Sequence, residues 1–141
     1  MEYRKAQQDD VPLLAELNQQ LIKDEGHKNL MSLAQLEKRM LSWIKGEYIA
    51  MLFTEDHKIL AYALYRDTPE EVHLRQFFVL GKFRRRGLGR HCVKLLRTEI
   101  WPSDKRITVD VLCNNEAGLF FWRAVGFNDY CLTLEINPPL L

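Results

Sequence analysis

Hydrophobic residues in the first third of the chain recur at helical spacing and predict two amphipathic helices. The apolar stripe of the first helix consists of Leu14, Leu17 and Leu21. This helix is expected to start near Asp10 and to end at Gly26. Ser32 and Gln35 have the spacing of a capping box and predict the start of the second helix, which ends before Gly46. The apolar stripe of the second helix consists of Leu33, Leu36, Met40, Trp43 and Ile44.

Alternation of polar and apolar residues predicts strands in much of the remaining chain. The predicted strands cover residues 2–6, 47–56, 57–67, 71–80, 106–112 and 130–136. Two further helices are predicted at residues 88–100 and 115–125. The residues of the last helix that are expected on one apolar face are Ala117, Phe120, Phe121, Ala124 and Val125. This order of elements predicts one α/β domain over residues 1–141 with a mixed sheet.

The overall composition is that of an ordinary globular domain. The 141 residues are 47% hydrophobic and 28% charged, and the formal net charge of +1 predicts no global attraction to nucleic acid or to a membrane. The polar start of the chain and the absence of an apolar run near the ~20 residues of a membrane helix predict a cytoplasmic protein. Three cysteines without a close pair argue against disulfides and against a metal site.

One stretch departs from this neutral background. Residues 83–90, FRRRGLGR, place four arginines beside two glycines between a predicted strand and a predicted helix. Glycines allow the backbone to turn tightly and to approach a ligand, and a helix N-terminus binds phosphate through its unpaired N–H groups. The turn therefore fits a di- or polyphosphate. A solvated basic turn is one alternative, and a nucleic-acid contact that uses the nearby Phe77, Phe78 and Phe83 is another.

Two motifs in sequence order resemble the GNAT N-acetyltransferase superfamily. The pattern Arg84-x-x-Gly87-x-Gly89 resembles its acyl-CoA pyrophosphate loop, and Val79 stands where the family's fourth strand ends. About 28 residues downstream, residues 111–127, VLCNNEAGLFFWRAVGF, resemble the second motif. The residues at the expected offsets are Asn115, Ala117, Trp122, Gly126 and Phe127. The resemblance spans essentially the whole chain, although the first 60 residues match only in their pattern of elements.

The resemblance implies an α/β GNAT fold with a mixed, mostly antiparallel sheet of about six to seven strands and about four helices. The fourth and fifth strands of this fold splay apart, and acetyl-CoA lies in the gap between them. In this sequence the two walls of the gap would be the strands at residues 71–80 and 106–112, each with the helix that follows it.

The resemblance also implies which residues bind acetyl-CoA. The pyrophosphate loop would consist of Arg84, Arg85, Arg86, Gly87, Leu88, Gly89 and Arg90, which act mainly through main-chain N–H groups. Phe77, Phe78 and Val79 would present backbone groups to the pantetheine arm or to the acetyl carbonyl. Asn115 would contact the pantetheine amides, and a helix N-cap is its alternative role.

Trp122 departs from the family pattern, which often has a tyrosine at this position. A tyrosine hydroxyl can protonate the leaving thiolate, whereas an indole N–H is a donor that is too weakly acidic to do so. We therefore expect Trp122 to pack against the cofactor or in the core, and the thiolate to obtain its proton elsewhere.

A primary amine is mostly protonated at neutral pH, so the reaction needs a general base. By resemblance, the position that often supplies this base on the fourth strand is His73, and histidine as a residue type suits the role. Glu25 with His27, after the first helix, is a second candidate, and Asp110 is a third.

These features predict an enzyme that transfers an acetyl group from acetyl-CoA to a primary amine by direct attack in a ternary complex, without a metal. The alternative is a non-catalytic acyl-CoA-binding sensor or partner module. The acceptor is expected to be a small molecule rather than a protein. The acidic residues that could attract a cationic amine are Asp24, Glu25, Glu37 and Glu47. The last predicted strand, at residues 130–136, could pair across a homodimer.

Overall fold

The computed structural model describes residues 1–26, 29–84 and 86–139. Its sheet has five strands in the order β1-β2-β3-β4-β5. The strands are β1 (Glu2–Lys5), β2 (Tyr48–Glu55), β3 (Lys58–Asp67), β4 (Glu71–Val79) and β5 (Arg106–Val109). The first four pair antiparallel with their neighbours, and β5 pairs parallel with β4. The predicted α/β architecture with a mixed sheet is confirmed, although the described chain has fewer strands than the expected six to seven.

Four α-helices accompany the sheet. They are α1 (Val11–Asp24), α2 (Leu33–Lys45), α3 (Leu88–Leu95) and α4 (Glu116–Ala124). The predicted capping box starts α2, because Ser32 Oγ accepts from the Gln35 N–H at 3.2 Å and Gln35 Oε1 accepts from the Ser32 N–H at 2.8 Å. A π-helical turn, Leu96–Ile100, continues α3.

The core has two parts because helices cover both faces of the sheet. On one face α1 and α2 enclose a cluster that includes Leu14, Leu17, Met40, Leu52, Tyr62 and Phe78. On the other face α3 and its extension enclose a cluster that includes Phe53, Ala63, Val72, Leu74, Cys92 and Leu96. A strand that is covered on both faces has a nearly continuous run of apolar residues in its sequence. Residues 60–65 of β3 form such a run, and all of them are buried.

The register of β4 creates the feature that positions the site. Leu64 pairs with Gln76 and Tyr65 pairs with Leu74, so that Arg75 is the extra residue of a β-bulge. The parallel pairing of β4 with β5 ends at Leu74 and Val109. Residues 75–79 of β4 therefore continue without β5 beside them.

The C-terminal part of the chain corrects three sequence predictions. Residues 130–136, predicted as a strand, have no regular secondary structure and are exposed, because apolar alternation produces a strand only where another strand pairs with it. No residue of α4 is buried, and Phe120, predicted on a buried face, is 77% exposed. The strand that was expected over residues 106–112 ends at Val109.

Candidate active site

The turn before α3 has the backbone geometry of an anion-binding helix start. Gly87 has φ +73°, a left-handed conformation that an L side chain rarely adopts, and it immediately precedes the helix. The first helical hydrogen bond runs from the His91 N–H to the Gly87 carbonyl at 3.0 Å. The N–H groups of the first turn are therefore left without helical acceptors. The exposed Arg86 and Arg90 add positive charge beside them.

Gly89 brings the two sequence motifs into contact. A Cβ atom at this position would lie 3.1 Å from Phe121 Cε1 on α4 and 3.7 Å from Val79 Cγ2 at the end of β4. The helix start, the unpaired end of β4 and α4 thus meet at one point, and glycine is the residue that fits there.

Arg84 has a role that the sequence did not indicate. Its Nε donates to the Val79 carbonyl at 2.8 Å, its Nη2 pairs with the Asp24 carboxylate, and its guanidinium lies 5.1 Å from the Phe78 ring. Arg84 therefore attaches the turn to β4 and to α1, and its charge is directed at Asp24. Arg85, which was expected in the loop, lies outside the described residues.

Aromatic rings fill the space between β4 and α4. The Trp122 ring lies 5.6 Å from Phe77, 4.9 Å from Phe121 and 5.2 Å from Phe127, in edge-to-face arrangements that favour ring packing. The Phe77 and Phe121 rings stack at 6.1 Å. Trp122 therefore joins the two walls of the site through packing.

Asn115 caps α4. Its Oδ1 accepts from the Gly118 N–H at 3.0 Å, which is the N-cap alternative foreseen from the sequence. Since the oxygen is used by the cap, the two N–H groups of Nδ2 are what this side chain could offer to a ligand.

His73 is the centre of a hydrogen-bonded chain that links β4 to β5. Its Nδ1 lies 2.8 Å from Thr108 Oγ1, and the Thr108 hydroxyl donates to Glu71 Oε2 at 3.2 Å. Because the hydroxyl proton points to Glu71, Thr108 accepts from an Nδ1–H of His73. The other ring nitrogen, Nε2, is left as the basic atom, and Asp110 Oδ2 lies 3.5 Å from it. The Asp110 side chain is 92% exposed, whereas the His73 side chain is 18% exposed.

The structure brings together two of the three candidate bases. His73 and Asp110 are in contact, whereas Glu25 lies after the last residue of α1. The Tyr62 hydroxyl donates to Gln76 Oε1 at 2.8 Å, and burial, reinforced by the charge of Glu25, raises the pKa of Tyr62. Glu25 therefore lies on the α1 side of β3 and β4. His27, its expected companion, is outside the described residues.

Thr108 is a site residue that sequence reasoning missed. Its contact with His73 depends on the parallel register of β4 and β5, in which the two residues are direct partners. The alternation of the β5 segment was visible in the sequence, but its partner strand and register were not.

The described residues contain neither a candidate metal-binding cluster nor a helix that could span a membrane. Over residues 1–26, 29–84 and 86–139, no group of three or more His, Cys, Asp or Glu side chains is arranged to hold a metal ion. In the same ranges no helix combines the length and the apolar character needed to cross a bilayer.

Comparisons with known proteins identify the family to which the chain belongs. The sequence profile of the acetyltransferase (GNAT) family matches residues 13–127, well over half of the chain. The chain belongs to this family and is an acetyltransferase by that membership. No curated protein sequence shows significant similarity to it.

Solved structures share the fold at low sequence identity. A tetramutant of the BH1408 protein from Bacillus halodurans is 21% identical with a TM-score of 0.78, over 98% of this chain and 100% of that one. A predicted acetyltransferase from Clostridium acetobutylicum, solved with acetyl-CoA, is 19% identical with a TM-score of 0.75, over 96% and 95%. Aminoglycoside 6'-N-acetyltransferase AAC(6')-IG from Acinetobacter haemolyticus is 18% identical with a TM-score of 0.77, over 99% of both chains. These similarities establish the GNAT fold of the chain.

Proposed function

We propose that this protein transfers an acetyl group from acetyl-CoA to a primary amine of a small molecule, by direct attack of the amine within a ternary complex. The observation that carries the proposal is the meeting of three elements at Gly89, where the start of α3, the unpaired end of β4 and α4 come into contact. His73, whose Nε2 lies 3.5 Å from the Asp110 carboxylate, is on the same β4 strand.

The acetyl-CoA site is built mainly from backbone. The free N–H groups of the first turn of α3, with Arg86 and Arg90 beside them, bind the pyrophosphate. The pantetheine arm carries two amides and hydrogen bonds like a strand to residues 75–78 of β4, which lack β5 beside them. The Val79 carbonyl is already used by Arg84 Nε, so the arm pairs with the residues before it. Asn115 contributes its Nδ2 donors from the opposite wall.

His73 acts as the general base through Nε2. The amine proton moves to Nε2, the amine nitrogen forms a bond to the thioester carbonyl carbon, and the carbon–sulfur bond breaks to release the CoA thiolate. The imidazolium that forms is stabilised by Asp110 at 3.5 Å, and Thr108 with Glu71 holds the ring in the required tautomer. The proton on the imidazolium, or one from water, then neutralises the thiolate. Glu25 is the second candidate base, on the α1 side of the sheet.

Calorimetric titration with acetyl-CoA, followed by a thiol-release assay over small-molecule amines that include aminoglycosides, tests the proposal. We expect binding together with turnover of at least one amine class. Binding without turnover of any amine would favour the non-catalytic sensor. Absence of binding would contradict the interpretation of the turn before α3 as a pyrophosphate-binding loop.

The C-terminal segment, residues 130–136, supports an additional partner, a second copy of this chain. Its alternate residues are large, apolar and exposed: Tyr130 at 78%, Leu132 at 75%, Leu134 at 84% and Ile136 at 99%. The Arg106 guanidinium, at the start of β5, lies 4.1 Å from the Tyr130 ring, and the residues after Tyr130 are exposed up to residue 139. The segment therefore extends away from its own sheet, beginning near the Arg106 end of β5.

The surface that this segment fits is present on the same chain. The outer edge of β5 has no strand partner in the described ranges, and α4, the next helix along the chain, buries no residue. We infer a twofold dimer in which each copy adds residues 130–136 to the β5 edge of its partner and covers the exposed Phe120. The segment then forms the sixth strand that the sequence predicted, and the free edge of β5 is removed.

Sedimentation analysis of two matched variants tests the dimer. Wild-type protein should have twice the 16.7 kDa mass of one chain. Leu134→Asp places a charge on the apolar face of the segment and should give a single-chain mass. Thr133→Asp carries the same new charge on the other face and should stay dimeric. A monomeric wild type, or equal masses for the two variants, would contradict the inference.

A further inference from the structure

Three arginines and two aromatic rings alternate on the α2 side of the sheet, and we refer to them together as the arginine ladder. The Arg39 guanidinium lies 4.5 Å from the Trp43 ring, and the Arg75 guanidinium lies 4.8 Å from the same ring. Arg75 also lies 5.8 Å from the Tyr48 ring, and Arg66 lies 5.8 Å from Tyr48. The ladder therefore runs from α2 across β4 to β3.

Positive charge in the ladder exceeds the negative charge that it contacts. Glu47, whose side chain is 76% exposed, pairs with Arg66 at 3.4 Å. Arg39 Nη2 donates to the neutral side chain of Asn18 at 3.0 Å, and Arg75 Nη1 donates to the Tyr48 hydroxyl at 3.4 Å. Burial, together with the charge of Arg75, lowers the pKa of Arg39. Like charges this close to each other favour the binding of an anion between them.

Three buried donors around the ladder have no acceptor among the residues that the structure describes. They are Nε of Arg39, Nε of Arg66 and Nδ2 of the fully buried Asn18. Buried polar groups are normally hydrogen bonded, and unsatisfied donors that accompany clustered guanidiniums indicate that acceptors are missing. A carboxylate supplies up to four acceptor sites and matches the fork of an arginine.

The ladder adjoins the proposed reaction centre. Arg66 is the direct cross-strand partner of His73, and Arg75 is the bulge residue that follows on β4. Val72 and Leu74 point to the α3 side of the sheet, so His73 between them faces the same side as the ladder. An open groove continues from the ladder along α2 and is lined by Met31, Gln35, Lys38, Arg39, Ser42 and Trp43.

We propose that the arginine ladder binds a carboxylate of the acceptor, so that the substrate class is small molecules with both a primary amine and a carboxylate. This proposal rests on the proposed acetyltransferase function and names its acceptor class. The carboxylate binds the guanidiniums of Arg39 and Arg75, an apolar or aromatic spacer lies on Trp43 and Tyr48, and the amine reaches His73. Polycationic acceptors are disfavoured because they meet the same arginines.

Two of the four acidic residues that the sequence offered for a cationic acceptor are paired with arginines of the chain itself. Asp24 is paired with Arg84, and Glu47 is paired with Arg66. Both carboxylates therefore already face a guanidinium of the chain itself.

Three amines of matched length separate the effect of acceptor charge from other effects. The amines are 5-aminopentanoate, pentylamine and 1,5-diaminopentane, whose far ends are negative, neutral and positive. Steady-state thiol release should give 5-aminopentanoate a kcat/KM at least about tenfold above that of the other two, as expected for a charge-assisted contact. A preference for the diamine, or no preference among the three, would overturn the proposal.

Substitutions in the arginine ladder test whether its residues cause the preference for 5-aminopentanoate. Arg75→Gln should remove most of the preference by raising KM for 5-aminopentanoate more than KM for pentylamine. Arg97→Gln, the same change at an exposed residue on the α3 side, should leave the preference intact. If the ladder only holds α2 on the sheet, Arg75→Gln will lower the melting temperature and leave the ratio of kcat/KM values unchanged, and the proposal fails.

A binding measurement tests the carboxylate site without requiring turnover. Benzoate should shift the indole N–H resonance of Trp43, identified through Trp43→Phe, and Arg75→Gln should weaken this binding. A benzoate shift without turnover of any amine would contradict the acetyltransferase function but support the carboxylate site. Turnover without charge preference and without a benzoate shift would support the function and overturn the carboxylate site.

Discussion

His73 contacts Thr108 through one ring nitrogen and lies 3.5 Å from the Asp110 carboxylate at the other. The bond from Nδ1 to Thr108, continued to Glu71, fixes the tautomer in which Nε2 is basic. The sequence singled out His73 through its position in the motif, but it gave no information about Thr108, because a cross-strand contact requires the register of two strands that are distant in sequence. The orientation of the base is therefore a property of the β4–β5 pair.

Removing the Thr108 hydroxyl tests this orientation. Thr108→Val keeps the shape of the side chain and loses both hydrogen bonds of the hydroxyl. The bond that orients His73 is worth about 1 kcal/mol, so kcat should fall about fivefold while KM for acetyl-CoA is unchanged. Thr108→Ser restores the hydroxyl and should restore kcat. Equal kcat values for Thr108→Val and the wild type, measured by thiol release, would show that Thr108 does not position the base.

Gly87 is required by backbone conformation, and this requirement was readable from its place before a helix. At φ +73° an alanine costs roughly 1–2 kcal/mol, although nothing lies within 4 Å of a Cβ there. Gly87→Ala should therefore displace the first turn of α3 and weaken acetyl-CoA binding about tenfold by calorimetry.

Gly81 provides the matched control for Gly87. A Cβ at Gly81 also meets nothing within 4 Å, but this glycine has no left-handed backbone conformation. Gly81→Ala should bind acetyl-CoA like the wild type. The explanation of the turn by its backbone would be contradicted if both variants bound equally well.

At the scale of elements, α4 begins at Asn115, a residue for which two roles were predicted. Asn115 was predicted either to contact pantetheine or to cap the helix, and its oxygen caps α4 while Nδ2 stays available for the cofactor. The helix itself follows from its sequence pattern. Its exposure does not, because nothing in the described ranges covers Phe120.

Two substitutions of Asn115 separate these roles. Asp is as good an N-cap as Asn but has no N–H donor, so Asn115→Asp should keep thermal stability and weaken acetyl-CoA binding. Asn115→Ala should lose the cap as well, with a further cost of about 1 kcal/mol in the free energy of unfolding. If Asn115→Asp binds acetyl-CoA with unchanged affinity, the proposed pantetheine contact is wrong and the cap is the only role.

The C-terminal segment shows where element prediction from sequence reaches its limit. Residues 130–136 have the alternation of a strand, and this property does not say which edge the strand joins. In the described chain the segment joins none, so the proposed exchange between two copies is what reconciles the pattern with the structure.

For the whole molecule, order and type of the elements were predictable because each helix and most strands have strong local patterns. The gap beside residues 75–79 was anticipated only through the family resemblance, since it depends on where β4 and β5 stop pairing. The arginine ladder was not predictable, because its members come from α2, β2, β3 and β4 and meet only in the folded chain. The proposed carboxylate site therefore rests on contacts that no single segment of the sequence reveals.

The most direct test of the account compares wild-type protein with His73→Gln under saturating acetyl-CoA and a primary amine. We predict that kcat for thiol release falls by about 100-fold or more, the usual contribution of a general base, while acetyl-CoA affinity by calorimetry is unchanged. An unchanged kcat would contradict the role of His73, and a wild-type protein that does not bind acetyl-CoA would contradict the proposed function itself.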